Sequence, residues 1–285
     1  MSGSAETIAF HGIECLRLCA DGASVVVARL GGQVISWIPA DGRERLFLSE
    51  RARYDGSVAI RGGIPVCFPQ FSGLGSLPKH GLVRTRHWQV VPATGADGGC
   101  LRLSCGADAQ SRALWMHEFE LVLDVHLSAA QLKIGLTVRN LGVADFSFTG
   151  ALHTYFAVCD IGSVRLEGLA GTEYRDAAGG NALCTDAANA LGFGPEIDRV
   201  YHDTPRELML FDGTARLAVG SAGFADTVVW NPGAVLCTGL ADMAPDGYRR
   251  MVCVEAAAAR LPVFVPAGAD WRGHQMLTAL PPLDN

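Results

Sequence analysis

At 285 residues, with 49% hydrophobic and only 18% charged side chains, the chain has the composition of a folded protein with a large core rather than a disordered one. A net charge of -6 excludes a general electrostatic footprint for nucleic acid or an acidic membrane surface, but leaves room for a small anion held by local donors. The N-terminal MSGSAETIAFHG lacks the basic and apolar segments of a secretory leader, and no apolar run approaches the roughly 20 residues of a membrane span. Nine cysteines, odd in number and without a CxxC pair, predict buried free thiols in a reducing, cytoplasmic setting, with structural disulfides or a zinc cluster as the minor alternatives.

The first predicted strands are IECLRLC (13–19) and SVVVARL (24–30), joined by an Asp21-Gly22 turn. Gly31-Gly32 interrupts the chain before a strand signal at VISWIP, and Asp41-Gly42 makes a turn before another at RLFLS. Residues 59–87, AIRGGIPVCFPQFSGLGSLPKHGLVRTRH, then break the pattern. An apolar strand runs into paired glycines, two prolines and a Gly/Ser/Pro loop that ends in Lys79, His80, Arg84, Arg86 and His87. In an acidic chain that cluster of basic residues suggests a concave site for a small anion.

A short strand at 101–105 follows a loop centred on Asp97-Gly98-Gly99. FELVLDVHLSA (119–129) keeps Phe119, Leu121, Leu123, Val125 and Leu127 on one parity, the mark of a half-buried strand, and QLKIGLTVRNL alternates in the same way. FSFTGALHTYFAV (146–158) reads as one strand. Its first parity is mostly large and apolar; the second, Ser147, Thr149, Ala151, His153, Tyr155 and Ala157, suits a ligand-facing surface. Residues 164–198 show little periodicity and predict an excursion or irregular strands. Alternation resumes at ELMLFD, RLAVGS and TVVWNP, with turns at Asp212-Gly213 and Asn231-Pro232-Gly233 and a short helix expected around Gly239–Met243. MVCVEAAA and two extended segments within PVFVPAGADWRGHQMLTAL complete the chain. Turn-linked strands without long helices or a linker predict an all-β fold, a large antiparallel β-sandwich forming one domain over residues 1–285.

Several residues carry chemistry. His153 can transfer a proton in either direction near neutrality, although a histidine packed in the core is the simpler alternative. Glu255 lies in an otherwise apolar strand, where a carboxylate must face water, a cation or a ligand. Arg61 before Gly62-Gly63, with Lys79, His80 and Arg84, supplies donors for phosphate or carboxylate; the absent Gly-Lys-Ser/Thr ending excludes a Walker loop. Asp198 can accept from sugar hydroxyls or serve a turn. Trp37, Phe68, Phe71, Tyr155 and Trp230 are candidate platforms for a sugar ring or core residues. Asp124 and His126 share a parity, but no third metal ligand accompanies them at motif spacing.

AIRGGIPVCFPQF, LPKHGLVRTRHW, ALHTYFAV, EIDRVY, DTVVWNP and VCVEAA, in that order, resemble the hexose-6-phosphate mutarotases, also called glucose-6-phosphate 1-epimerases, within the galactose mutarotase-like group. The resemblance runs from about residue 20 to the C-terminus. It implies a mutarotase-type β-sandwich with a groove over one sheet, His153 and Glu255 as the catalytic pair, and Arg61, Arg84 and Asp198 as substrate contacts. His80 matches the family's His-Gly segment, and Lys79 stands where some members have glutamine. Phe68-Pro69-Gln70-Phe71 departs from the Trp-Pro-Trp-Phe of some bacterial members, which alters the groove wall but not the acid/base pair. The implied reaction uses no cofactor or metal: Glu255 takes the anomeric hydroxyl proton, protonated His153 donates to the ring oxygen, and the ring opens, rotates about C1–C2 and recloses. A small-molecule hexose 6-phosphate is the expected partner, and a monomer the default state. The competing readings are an aldose 1-epimerase for unphosphorylated sugars and a non-catalytic module that binds or senses a sugar phosphate. Glycoside hydrolysis is disfavoured because it usually calls for paired carboxylic residues.

Overall fold

The computed structural model describes residues 4–92, 99–204, 207–213 and 215–282. The Asp97-Gly98 part of the turn expected before residue 101 lies outside them. Among the described residues three antiparallel sheets hold the strands, and the two α-helices, Ala109–Leu114 and Gly233–Cys237, are short. A four-stranded meander, Ser4–Phe10, Ile13–Ala20, Ala23–Ala28 and Gln33–Ile38, opens the chain. An eight-stranded sheet, here the groove sheet, runs in spatial order from Ala182–Thr185 through Glu173–Asp176, Ile197–Tyr201, Asp226–Asn231 and Met251–Val265 to Phe146–Leu152 and Val66–Cys67, with Tyr155–Ala157 also paired to Met251–Val265. A nine-stranded back sheet carries, at its centre, Phe119–Leu127, Gln131–Asn140 and Asp270–Leu280.

The sandwich follows from period-two patterning. On Met251–Val265, Val252, Val254, Ala256 and Ala258 enter the main core, where they join Leu121, Leu123, Val125, Ile134, Leu136 and Leu277 of the back sheet. The alternate residues Cys253, Glu255, Ala257 and Ala259 face the other way, and all four are buried. Each half-strand thus supplies apolar area to one layer, at roughly 25 cal/mol for every Å² removed from water, while leaving its second face for other use.

Three expectations need correction, and one strand has no counterpart among them. FSFTGALHTYFAV is two strands, Phe146–Leu152 and Tyr155–Ala157, with a break at His153 and Thr154. There the His153 and Tyr155 amides donate to the Pro65 and Gly63 carbonyls, beyond the short strand Val66–Cys67, while across the break both strands keep one register on Met251–Val265. RLFLS is not a strand but makes two isolated bridges, Leu46 with Phe156 and Leu48 with Gly62. The short helix lies at Gly233–Cys237 and not Gly239–Met243. The Asn231 side chain accepts from the Gly233 amide at 2.9 Å and starts the helix immediately after the Asn-Pro-Gly turn. The strand Ser4–Phe10 was not anticipated; it is a mostly exposed strand at the edge of its sheet with little apolar alternation.

All nine cysteines are free, as expected. Five are buried, but Cys19 and Cys159 are exposed. Residues 164–198 resolve into four short strands and part of a fifth, the irregular alternative. Among the described residues no helix is long and apolar enough to cross a membrane.

Candidate active site

Register across the groove sheet builds the site. Leu152 pairs with Ala256 and Tyr155 with Cys253, so His153 and Thr154 fall opposite Glu255 and Val254. Directly opposed residues present their side chains on the same face, close together. Continuing outward, Glu255 pairs with Val228, Val228 with Val200 and Val200 with Arg175, while Cys253 pairs with Trp230 and Trp230 with Asp198. Two cross-strand rows therefore lie side by side. One runs Arg175, Val200, Val228, Glu255, His153; the other runs Asp198, Trp230, Cys253, Tyr155.

Over these rows lies a groove of about 440 Å³, walled by Phe71, Ser72, Leu74, Lys79, His80 and Arg84 from the 59–87 loop. Arg61, Tyr155 and Trp230 border it at one side, Arg175, Asn181, Glu196 and Asp198 at another. The groove thus gathers every expected site residue: His153, Glu255, Arg61, Lys79, His80, Arg84 and Asp198. The basic cluster of 79–87 divides, however. Arg86 is paired with Asp108 at 2.6 Å, and neither it nor His87 lines the groove. The candidate aromatic platform also divides: Phe71, Tyr155 and Trp230 border the groove, whereas Trp37 and Phe68 are wholly buried in the main core.

His153 and Glu255 form the floor, with only 7% and 1% of their surface exposed. His153 Nδ1 stands 3.3 Å from Glu255 Oε1. That is an ion-pair distance without hydrogen-bond alignment, since Nδ1 and the second carboxylate oxygen, Oε2, have no hydrogen-bond partner among the described residues. Burial lowers the His153 pKa well below its usual value, helped by the charges of Arg84 and Arg61. Burial also raises that of Glu255, with Asp198 adding to the effect. Both shifts favour neutral groups, so the pair keeps one proton, held on the carboxyl. The protonated His153 expected from sequence is not the form that this environment favours.

The loop holds its shape through local bonds. Gln70, at the position of the altered Phe-Pro-Gln-Phe motif, donates from Nε2 to the Ser72 and Leu77 carbonyls and accepts from the Leu77 amide. At Gly81, φ is +82°, and a Cβ there would sit 2.0 Å from the Phe68 carbonyl oxygen, so the His-Gly pair needs its glycine. His80 Nδ1 accepts from the Ser72 amide at 3.3 Å and lies 3.3 Å from the Cys67 sulfur. Its pKa is pushed down to about 3, mainly by burial and then by Arg84, Lys79 and Arg61, so this histidine is neutral.

The groove cations differ in their partners. Arg61 Nη2 pairs with Asp242 at 3.1 Å and Nη1 donates to the Tyr155 hydroxyl at 3.1 Å; Tyr155 in turn stacks on His153, ring centres 4.8 Å apart. Arg84 donates to the Lys79 carbonyl and makes no ion pair among the described residues, and nor does Lys79. Asp198 is raised by burial, against the pull of Lys79 and Arg175. Asp242 and Arg175 were missed in the sequence because neither sits in a distinctive motif; cross-strand register alone identifies Arg175.

Residues 14–278 match the aldose 1-epimerase family. The chain belongs to that family. Among aldose 1-epimerase relatives, a Cenchrus ciliaris protein named "Putative glucose-6-phosphate 1-epimerase" is 36% identical over 262 residues, covering 88% of this chain and 80% of its own length. An Escherichia coli K12 protein of the same name is 35% identical, covering 80% of this chain and 78% of itself. A crystal structure described as a "putative mutarotase" from Salmonella typhimurium superposes with a TM-score of 0.88 at 26% identity, covering 97% of this chain and 94% of its own. The aldose 1-epimerase fold, a large antiparallel β-sandwich, and an epimerase or mutarotase function on a sugar or sugar phosphate are thereby established for the chain.

Proposed function

We propose that the chain interconverts the α and β anomers of glucose 6-phosphate, and of related hexose 6-phosphates, by acid/base ring opening and closure. One observation carries the phosphosugar reading: two cations without ion-pair partners among the described residues, Lys79 and Arg84, wall the groove whose floor is the His153–Glu255 pair. The names of the relatives support the same substrate class. Charge-assisted hydrogen bonds from Arg84 and Lys79 hold the phosphate. Arg61, its charge already opposed by Asp242, lends its remaining donor capacity.

Ring opening needs one group that accepts the anomeric hydroxyl proton and one that donates to the ring oxygen. We assign acceptance to Glu255 and donation to His153. The working ion pair contains the same single proton as the neutral pair that burial favours, so it forms when that proton passes from carboxyl to imidazole across their 3.3 Å separation. Opening leaves the proton of the hydroxyl on Glu255 and frees the aldehyde. Rotation about C1–C2 and return of both protons give the other anomer, and the pair is restored. Asp198, at the edge of the floor, accepts from a ring hydroxyl.

The test is NMR exchange spectroscopy on the anomers of glucose 6-phosphate, with glucose as comparator. Faster exchange of the phosphorylated sugar is the expected result. Equal acceleration of both sugars would sink the phosphate assignment in favour of a general aldose 1-epimerase.

A further inference from the structure

Just beneath the floor lies a third group that the proposed chemistry leaves idle, the fully buried Cys253, which does not itself line the groove. Cys253 precedes Glu255 by two residues on one strand, so its side chain emerges on the same face. Its sulfur, a ring nitrogen of His153 and a carboxylate oxygen of Glu255 all lie within 4.8 Å of one another, and the three residues are buried. Two of these side chains also carry polar atoms without a hydrogen-bond partner among the described residues, His153 Nδ1 and Glu255 Oε2. Buried donors and acceptors without partners are unfavourable, and a ligand that engages both is correspondingly favoured.

Thiolate, imidazole and carboxylate are together a zinc donor set, and three protein ligands with one open position are the usual form of an accessible zinc site. Ligand atoms around a tetrahedral zinc stand about 3.3–3.8 Å apart, given its bond lengths. The 3.3 Å from His153 Nδ1 to Glu255 Oε1 already meets this spacing, and the Cys253 sulfur, within 4.8 Å of both, closes on the metal by about 1 Å at most. Charge balance also fits. Zinc(II) with one thiolate, one carboxylate and a neutral imidazole is a neutral complex, so neither burial nor the nearby Arg61, Arg84 and Lys79 penalise it as they would a bare cation.

We propose that His153 Nδ1, Cys253 Sγ and a Glu255 carboxylate oxygen form an inhibitory zinc(II) site whose open position faces the groove. Zinc uptake displaces the Cys253 thiol proton and the proton shared by the catalytic pair, and both leave to solvent. The bound metal occupies the donor and acceptor that ring opening requires, so zinc and sugar exclude one another. Cys253 does nothing in the metal-free reaction; it makes the catalytic floor sensitive to zinc.

Cobalt(II) is the spectroscopic probe, titrated into the full chain. A thiolate-to-cobalt charge-transfer band with tetrahedral d–d bands is expected, lost in Cys253→Ser and Cys253→Ala and retained in Cys100→Ser. Zinc affinity measured by calorimetry should fall at least tenfold in the Cys253 variants, since even outer partners of metal ligands are worth about 10–100-fold. Those variants should keep parental anomer exchange while escaping zinc inhibition. His153→Asn should lose the d–d bands by a separate route, which preserves the test if the Cys253 variants misfold. A band that survives loss of Cys253, or vanishes with Cys100, would overturn the site. The cobalt readout does not depend on the sugar, so a failure of the phosphosugar assignment leaves it standing.

Discussion

Two clusters in this molecule have nearly the same composition and opposite situations. On the outer face of the back sheet, Cys100, Asp124 and His126 come together; at the base of the groove, His153 and Glu255 do with Cys253 just beneath them. In the outer cluster, Asp124 accepts from Arg102 at 2.6 Å and His126 is exposed. The inner histidine and carboxylate are buried, displaced toward neutrality by that burial, and left with atoms that have no partner among the described residues. The outer cluster is solvated and satisfied; the inner one has capacity to spare and faces a cavity. Residue type alone does not make a site. Desolvation and unmet hydrogen-bonding capacity do.

Substitution in both clusters gives the largest contrast. Glu255→Gln and His153→Asn should each reduce anomer exchange by roughly 10²–10⁴-fold, the usual contribution of a positioned acid or base. Asp124→Asn and His126→Asn should leave the exchange rate of the parent unchanged. Near-parental exchange in either inner variant would remove the catalytic assignment, whatever the outer variants do.

A smaller effect separates the groove cations. Arg84→Ala and Lys79→Met should raise KM for glucose 6-phosphate by about 10–100-fold, the worth of a hydrogen bond to a charged group, with little change for glucose. Arg61→Ala should weaken the phosphorylated sugar too, but it also leaves the mostly buried Asp242 carboxylate without its partner. A melting temperature lowered in Arg61→Ala but not in Arg84→Ala is therefore expected. Equal losses on both sugars from Arg84→Ala would place that residue in the scaffold instead of at the phosphate.

Much of this was legible in the sequence because strands alternate. The parity of residues 146–158 separated the core residues Phe146, Phe148, Leu152 and Phe156 from the groove residues His153 and Tyr155, and the break at His153 did not disturb that division. Glu255 was conspicuous because a carboxylate in an apolar strand needs a reason. What stayed hidden depends on pairing between distant segments. Nothing local tells that Asp242 reaches Arg61, that Arg86 turns away to Asp108, or that Trp37 and Phe68 point to the core side. Protonation was hidden for the same reason: the burial that shifts His153 and Glu255 is a property of the assembled sheet.

The smallest predicted effect concerns His80, the neutral histidine of the groove wall. Its Nδ1 accepts from the Ser72 amide and so must be unprotonated to keep that bond. The folded pKa, about 3, lies below the usual 6.5. The unfolded chain therefore takes up the proton first as pH falls. The stability contributed by this neutral side chain is complete above 6.5 and is lost progressively toward the folded value, at no more than about 1.4 kcal/mol per pH unit. His80→Asn keeps an acceptor for Ser72 and tolerates the positive φ of 64°, but it cannot titrate. Denaturant midpoints for parent and variant at about pH 7 and about pH 5.5 should show the parent losing on the order of 1 kcal/mol more than the variant. Other groups that titrate over this range, His153 among them, are common to both chains and largely cancel. An identical pH slope in the two would mean that His80 is solvated in the folded protein, and the groove wall would then be open to water at its base.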